Sequence, residues 1–168
     1  AEALVTHKKL PRRELKERVL AMLEAVRIND PSRVAGLYPH EVSGGMGQRI
    51  MIAMMLIPEP DLLIADEPTS ALDVSVQAQV LDIIDDLVTG EGMGLILISH
   101  DLNLVSRYCD RILVMNSGEI VEQCKASDLH NAQHPYTRGL IAAMPRMNED
   151  RDELPVLDRS TWTTGAGT

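Results

Sequence analysis

The sequence contains no phenylalanine, and aromatic residues make up only 2% of its 168 positions. A core must therefore be built from Leu, Ile, Val, Met and Ala, which favours helices packed on a sheet over an aromatic-rich sandwich. Cysteine is scarce as well. Cys109 and Cys124 stand in no metal-ligand spacing, and with no signal peptide they read as reduced thiols of a cytosolic protein rather than a disulfide framework. No apolar run approaches the ~20 residues that a membrane span needs. The longest runs from Ile50 to Ile57 and stops at Pro58. The chain is expected to be soluble, with any membrane link made through a partner. Positive charge is short too, the formal net charge being -9. An acidic surface repels phosphate backbones at long range, and no dense Lys/Arg cluster offsets it, so no nucleic-acid partner is expected.

What is present is ordinary for a globular chain: 45% hydrophobic and 24% charged residues, and enough length for one domain with a real core. Leu15, Val19, Met22, Leu23 and Val26 mark one helical face between Pro11 and Ile28. Asn29 to Ser32 carries turn chemistry, and a short helix is expected around Arg33 to Leu37. Ser43-Gly44-Gly45 precedes a helix that is apolar almost all round from Ile50 to Ile57, which predicts burial on most sides. Leu62 to Ala65 reads as a fully buried strand. Val76, Val80, Ile83, Ile84 and Leu87 mark a helix, Gly94 to Ser99 a strand, Leu102 to Cys109 a helix and Arg111 to Met115 a strand. Asn116 to Gly118 turns into a short strand from Glu119 to Glu122. This alternation predicts a parallel α/β sheet. From Lys125 a short helix is expected, then a helix from His134-Pro135 to Met144, and a frayed Thr/Gly-rich end from Thr161 to Thr168.

Three groups of residues could carry chemistry. Leu62 to Ala65 delivers Asp66 and Glu67 to the C-terminal end of a strand, where open α/β sheets place their ligand crevice. There Asp66 can hold magnesium, directly or through water, and Glu67 can polarise a water for attack on a γ-phosphate. The same hexapeptide is also compatible with a merely polar strand end. Ser43, Gly44 and Gly45 offer a hydroxyl and open backbone N–H groups at a helix start, which suits a phosphate or a simple N-cap turn. His100 follows Leu95 to Ser99, at the same sheet edge as Asp66 and Glu67 if the sheet is parallel. It can donate to a terminal phosphate oxygen, though a lone loop histidine is usually inert.

Their order is more informative than any of them singly. Val-Ser-Gly-Gly-Met-Gly-Gln-Arg, then Leu-Leu-Ile-Ala-Asp-Glu-Pro-Thr-Ser-Ala-Leu-Asp, then Ile-Ser-His-Asp resembles the ABC ATPase series over roughly residues 1 to 122. The match implies a signature motif at 42–46, a Walker B strand at 61–66, a D-loop at 70–73 and a switch histidine. The implied fold is a partial P-loop NTPase-type α/β structure, a parallel sheet with helices plus part of the helical subdomain. Its implied divisions are 1–57 (helical subdomain portion), 58–122 (C-terminal part of the RecA-like core) and 123–168 (C-terminal extension). The resemblance implies ATP and Mg2+ as cofactors, with Asp66 assisting magnesium, Glu67 as general base and His100 on the γ-phosphate. Asp73 would make a contact across a dimer. Ser43, Gly44, Gly45, Met46 and Gln48 would attend the γ-phosphate of ATP held by the opposite protomer, so that each site is shared between two chains.

Val42 to Met46 departs from the usual Leu-Ser-Gly-Gly-Gln, and Gly47, about 1 kcal/mol worse than Ala inside a helix, has no functional explanation. His134-Pro135-Tyr136-Thr137-Arg138-Gly139-Leu140 resembles the C-terminal extension of oligopeptide, dipeptide and nickel importer ATPases, and is equally a Pro-initiated helix. That branch implies a second ATPase subunit, transmembrane permease subunits, an indirect link to a solute-binding protein, and a place on the inner face of the cell membrane. A soluble non-transporter ABC ATPase and a non-enzymatic module acting in trans are the alternatives. No Gly-x-x-x-x-Gly-Lys-Ser/Thr and no Gly-Lys pair occurs in the sequence. Because that loop cradles the β- and γ-phosphates, the chain reads as the C-terminal portion of a cassette. It is expected to be inactive alone, with unpaired apolar strand edges that promote self-association.

Overall fold

The computed structural model describes residues 2–7, 10–69 and 74–144. The chain divides into two compact units, Ala1–Ile98 and Ser99–Thr168.

In the first unit, α1 (Glu2–His7) precedes α2 (Arg12–Ala25), which buries Leu23 and, just past its end, Val26. Its solvent face carries the i,i+4 pairs Arg13–Glu17 and Arg18–Glu14. Arg27 and Asp30 then take left-handed backbone, with φ of 58° and 53°. The Asp30 carboxylate accepts the Arg33 N–H and caps α3 (Pro31–Val34). The short helix expected at Arg33 to Leu37 thus begins earlier, because Asp30-Pro31 is a cap and first turn and not a break.

A 3-10 turn (Pro39–Glu41) leads to α4 (Gly44–Leu56), β1 (Leu62–Asp66), α5 (Val74–Glu91) and β2 (Gly94–Ile98). Strands β1 and β2 are parallel, in a register that runs from Leu62 opposite Gly94 to Asp66 opposite Ile98. The core gathers Val80, Leu81, Ile83 and Ile84 of α5 with Ile52, Ala53 and Leu56 of α4 and with Leu63 and Ala65 of β1.

Two expectations of burial fail here. Strand β1 is not buried on both faces: Leu62 and Ile64 are 48% and 61% exposed. Helix α4, though apolar all round, leaves Met51, Met54 and Met55 in solvent. The physical reason is the same for both: among the described residues, only one face of each element is covered.

In the second unit, Asp101 caps α6 (Leu102–Tyr108) by accepting the N–H groups of Asn103 and Leu104 at 2.8 and 3.4 Å. Strands β3 (Arg111–Asn116) and β4 (Glu119–Lys125) form an antiparallel hairpin. Ser117 and Gly118 close it with φ of 52° and 86°, the positive-φ pair that suits the right-handed twist of the flanking strands. A bulge follows Val114, where Met115 pairs with Ile120 and Val121 becomes the extra residue. A 3-10 segment (Ala126–Asn131) and α7 (Pro135–Ala143) complete the unit around Val105, Ile112, Val114 and Leu129. The parallel sheet is therefore two strands wide among the described residues. Strands β3 and β4 form a separate, antiparallel sheet, and β4 runs three residues beyond its expected end. The expected fraying at Thr161 to Thr168 lies outside the described residues.

Candidate functional site

Strand β1 ends on Asp66, whose side chain is exposed at the C-terminal end of the parallel pair. The next residue, Glu67, has φ +45°. Left-handed backbone costs a non-glycine residue about 1–2 kcal/mol, and the proline that follows restricts Glu67 further. Several bonds hold the segment in place. The Glu67 N–H donates to the Ile98 carbonyl at 2.9 Å, at the end of β2. The Gln48 side-chain amide, from α4, donates to the Pro68 carbonyl. The Gln77 amide, from α5, donates to the Thr69 carbonyl at 3.0 Å, and Thr69 itself is buried.

The N-terminus of α4 lies in the same unit. Ser43 is its cap, with Oγ accepting the Met46 N–H at 3.4 Å and the carbonyl accepting the Gly47 N–H at 2.8 Å. The first N–H groups of a helix have no intrahelical acceptor and make its N-terminus electropositive. A Cβ at Gly44 would meet nothing within 4 Å, so the helix end is open there. At Gly45 it would come within 3.3 Å of Val76 Cγ1, which identifies Gly45 as the close approach of α4 to α5. At Gly47 it would make only ordinary contact with Val42, and nothing in the structure explains that glycine.

Asp66, Glu67 and Gln48 line a cavity of about 330 Å³ with Met51, Met55 and Ile64. A larger apolar groove of about 460 Å³ lies against α2 and α4 and is lined by Met22, Leu37, Tyr38, Val42, Met51 and Met54. Arg49 is the one cation of α4, and it donates to the Arg27 carbonyl at 3.1 Å and to Gln79 Oε1 at 2.7 Å. It thereby fastens α4 to the end of α2 and to α5. The sequence reading missed Arg49 and Gln77. The available signal was a cation inside an otherwise apolar helix, which must reach a partner.

Ser43 to Met46, Gln48, Asp66 and Glu67 all fall in the first unit. His100 falls in the second unit, which begins at Ser99. Beside it the Asp101 N–H donates to Ser99 Oγ at 3.1 Å. Asp73 lies outside the described residues. Among the described residues no group of three or more His, Cys, Asp or Glu could hold a metal ion. A single carboxylate such as Asp66 suits magnesium only where phosphate oxygens and waters complete the octahedron.

In the second unit, the Glu122 carboxylate accepts the N–H groups of Gln133 at 2.6 Å and His134 at 3.3 Å. Partial burial pushes its pKa up, but the Thr137 hydroxyl, these two N–H groups and nearby His134 outweigh that and hold it below the ordinary glutamate value. His134 Nδ1 in turn accepts the Tyr136 N–H at 3.2 Å, so His134 is the cap of α7 and Pro135 its first residue. Burial, assisted by Glu122 and Asp128, pushes the Cys124 thiol pKa up.

The first unit thus holds a strand-end carboxylate pair and an open helix N-terminus. Residues 2–70 match the model of the ABC transporter family, and residues 121–164 match that of the oligopeptide/dipeptide transporter C-terminal region. Among solved structures, the dimeric ATP-binding cassette MJ0796 bound to ADP and Pi superposes with a TM-score of 0.61 at 28% identity, over 71% of this chain and 50% of that one. The cassette cbiO1 from Clostridium perfringens superposes with a TM-score of 0.66 at 29% identity, over 76% and 49%. Residues 2–70 thus match the ABC transporter family, and the fold is similar to that of its ATP-binding cassettes.

Similar curated proteins include oligopeptide and dipeptide transport subunits. The dipeptide transport ATP-binding protein DppD of Bacillus subtilis is 46% identical over 94% of this chain and 47% of its own length. A probable peptide ABC transporter ATP-binding protein of Sinorhizobium fredii is 50% identical over 90% and 45%. The oligopeptide transport ATP-binding protein OppD of Lactococcus lactis is 43% identical over 95% and 47%. The chain spans about half the length of the curated relatives it matches. Among the described residues no helix is long and apolar enough to cross a membrane.

Proposed function

We propose that this chain supplies the hydrolytic carboxylates and the signature helix of an ATPase subunit that powers uptake of peptides or a related solute. The observation that carries the reading is the presence, in one compact unit, of Asp66 and Glu67 at the end of a parallel strand and an open, serine-capped helix start at Ser43 to Met46. Glu67 acts as general base, orienting a water toward the γ-phosphate. Asp66 would help to hold Mg2+, which when bound would neutralise phosphate charge. Ser43, Gly44, Gly45 and Met46 cap the γ-phosphate of ATP on a second cassette, with N–H groups and helix dipole as donors. His100 donates to the γ-phosphate, and Asp73 makes the cross-dimer contact.

Residues 1–57 act as the helical subdomain portion, 58–122 as the C-terminal part of the core, and 123–168 as the importer-type extension. The partners are a second ATPase subunit, identical or related, and transmembrane permease subunits, with a solute-binding protein acting indirectly. The complex sits at the inner face of the cell membrane. The match over residues 121–164 favours an importer over a cassette protein without a transporter. Without a Gly-Lys phosphate cradle in its sequence, the chain alone neither holds ATP tightly nor hydrolyses it.

A chimera tests the reading. The chain replaces the corresponding half of Bacillus subtilis DppD, to which it is 46% identical, and dipeptide uptake is measured in cells lacking the native subunit. Restored uptake that Glu67→Gln abolishes is the expected result. A folded, assembled chimera that supports no uptake would overturn it.

A further inference from the structure

The segment after β1 is held by side chains from two different helices. Gln77 reaches Thr69 from α5. Gln48 reaches Pro68 from α4, little more than one turn beyond the Ser43 cap. An α-helix advances only about 1.5 Å per residue and is stiff over such a distance, so a displacement of the Ser43–Met46 turn moves the root of Gln48 with it. The Pro68 carbonyl that Gln48 holds belongs to the residue directly after Glu67, and Glu67 is in a backbone conformation that it adopts only under constraint. Gly45 against Val76, and Arg49 against Gln79, keep the same stretch of α4 close to α5 and add to its rigidity.

We infer that Gln48 is a positioning residue whose amide, on the Pro68 carbonyl, holds Glu67 in its left-handed conformation and links its placement to the N-terminus of α4. Resting on the proposed function, this makes Gln48 a coupling element. The Ser43–Met46 turn attends the nucleotide of the opposite protomer, while Glu67 serves its own. Occupancy of one site thereby sets the geometry of the general base in the other, through one side-chain hydrogen bond within one protomer. Gln48 acts through the Pro68 backbone and need not touch nucleotide.

The test has two arms. In the first, amide exchange is measured on this 168-residue chain and on Gln48→Glu, which keeps the shape but loses the donor, and Gln48→Leu, which loses it without adding charge. Exchange at Glu67 and Thr69 is expected to quicken about tenfold in both, with Leu23 and Val26 on the α2 side unchanged. Unchanged exchange at Glu67 and Thr69 would overturn the inference. Should either variant lose protection at Leu23 as well, Gln48→Asn, which keeps the amide but withdraws it by one methylene, is the milder probe, and the same two outcomes decide.

In the second arm the DppD chimera carries Gln48→Glu. The kcat for ATP is expected to fall about tenfold with KM within about twofold, the signature of a displaced base and not of lost binding. A rise in KM alone would contradict positioning. Failure of the unsubstituted chimera to hydrolyse ATP would count against the proposed function, and the exchange measurement would still decide the role of Gln48.

Discussion

The carboxylate of Glu122 on β4 accepts the Gln133 N–H at 2.6 Å and the His134 N–H at 3.3 Å, and so closes over the start of α7. These bonds and the Thr137 hydroxyl hold the Glu122 pKa below the ordinary value of 4.5 against the upward push of burial. A carboxylate whose folded-state pKa is depressed contributes stability that is fully present above its unfolded value. That contribution is lost as pH falls through the lower folded value. Protection of the α7 amides is therefore expected to be flat near neutrality and to decline as pH drops below about 4.5. Glu122→Gln should cost about 0.5–1 kcal/mol at pH 7, discounted for a partly exposed site, and should converge with the parent at low pH. A gap that stays constant with pH would contradict this account.

Glu67 combines left-handed backbone with a following proline. Glycine removes the Cβ clash and gives back part of the gain as unfolded-state entropy. Glu67→Gly is expected to stabilise the first unit by about 0.5–1 kcal/mol, while Glu67→Val destabilises it. Chemical denaturation reads both. A stabilising substitution at a residue assigned to hydrolysis would mark a site where conformation is held for function. Destabilisation by glycine would mean that the Glu67 side chain is needed structurally.

The helix start at α4 separates two adjacent glycines. Gly44→Ala meets open space and should leave stability unchanged or slightly raised, whereas Gly45→Ala must push Val76 and should be less stable than Gly44→Ala by about 1 kcal/mol. Function is expected to run the other way at Gly44, since a methyl there stands where phosphate would approach. Thermal melts of the chain and uptake by the chimera together check the pair. Equal stability of the two variants would remove the assigned close approach.

Much of this was legible in the sequence. Leu15 to Val26 announced α2, Val76 to Leu87 announced α5, and Asn116-Ser117-Gly118 announced the hairpin turn. Burial was not legible. Leu62 and Ile64 are as apolar as Leu63, and hydrophobicity alone does not say which face of a strand finds a cover. The same holds for Met51, Met54 and Met55 on α4. For the site, Asp66, Glu67 and the Ser43 cap could be named from residue type and position. The Gln48 bond to Pro68 could not, because a polar side chain on a helix does not declare its acceptor before the fold brings one near.

Register puts the exposed residues Leu62, Ile64, Ile96 and Ile98 on one face of the parallel pair. A contiguous apolar patch of that kind drives association. Sedimentation is expected to show concentration-dependent self-association that Ile64→Thr with Ile96→Thr weakens. A parent chain that stays monomeric at every concentration would show that this face is not adhesive.

The most direct test of the central claim is magnesium-dependent ATP turnover by this chain alone, beside its Glu67→Gln variant. No turnover is expected in either, because the proposed general base Glu67 and the Ser43–Met46 turn stand in a sequence without a Gly-Lys phosphate cradle. Turnover by the parent chain that disappears in Glu67→Gln would contradict it, and would mean that another segment of this chain holds the phosphates.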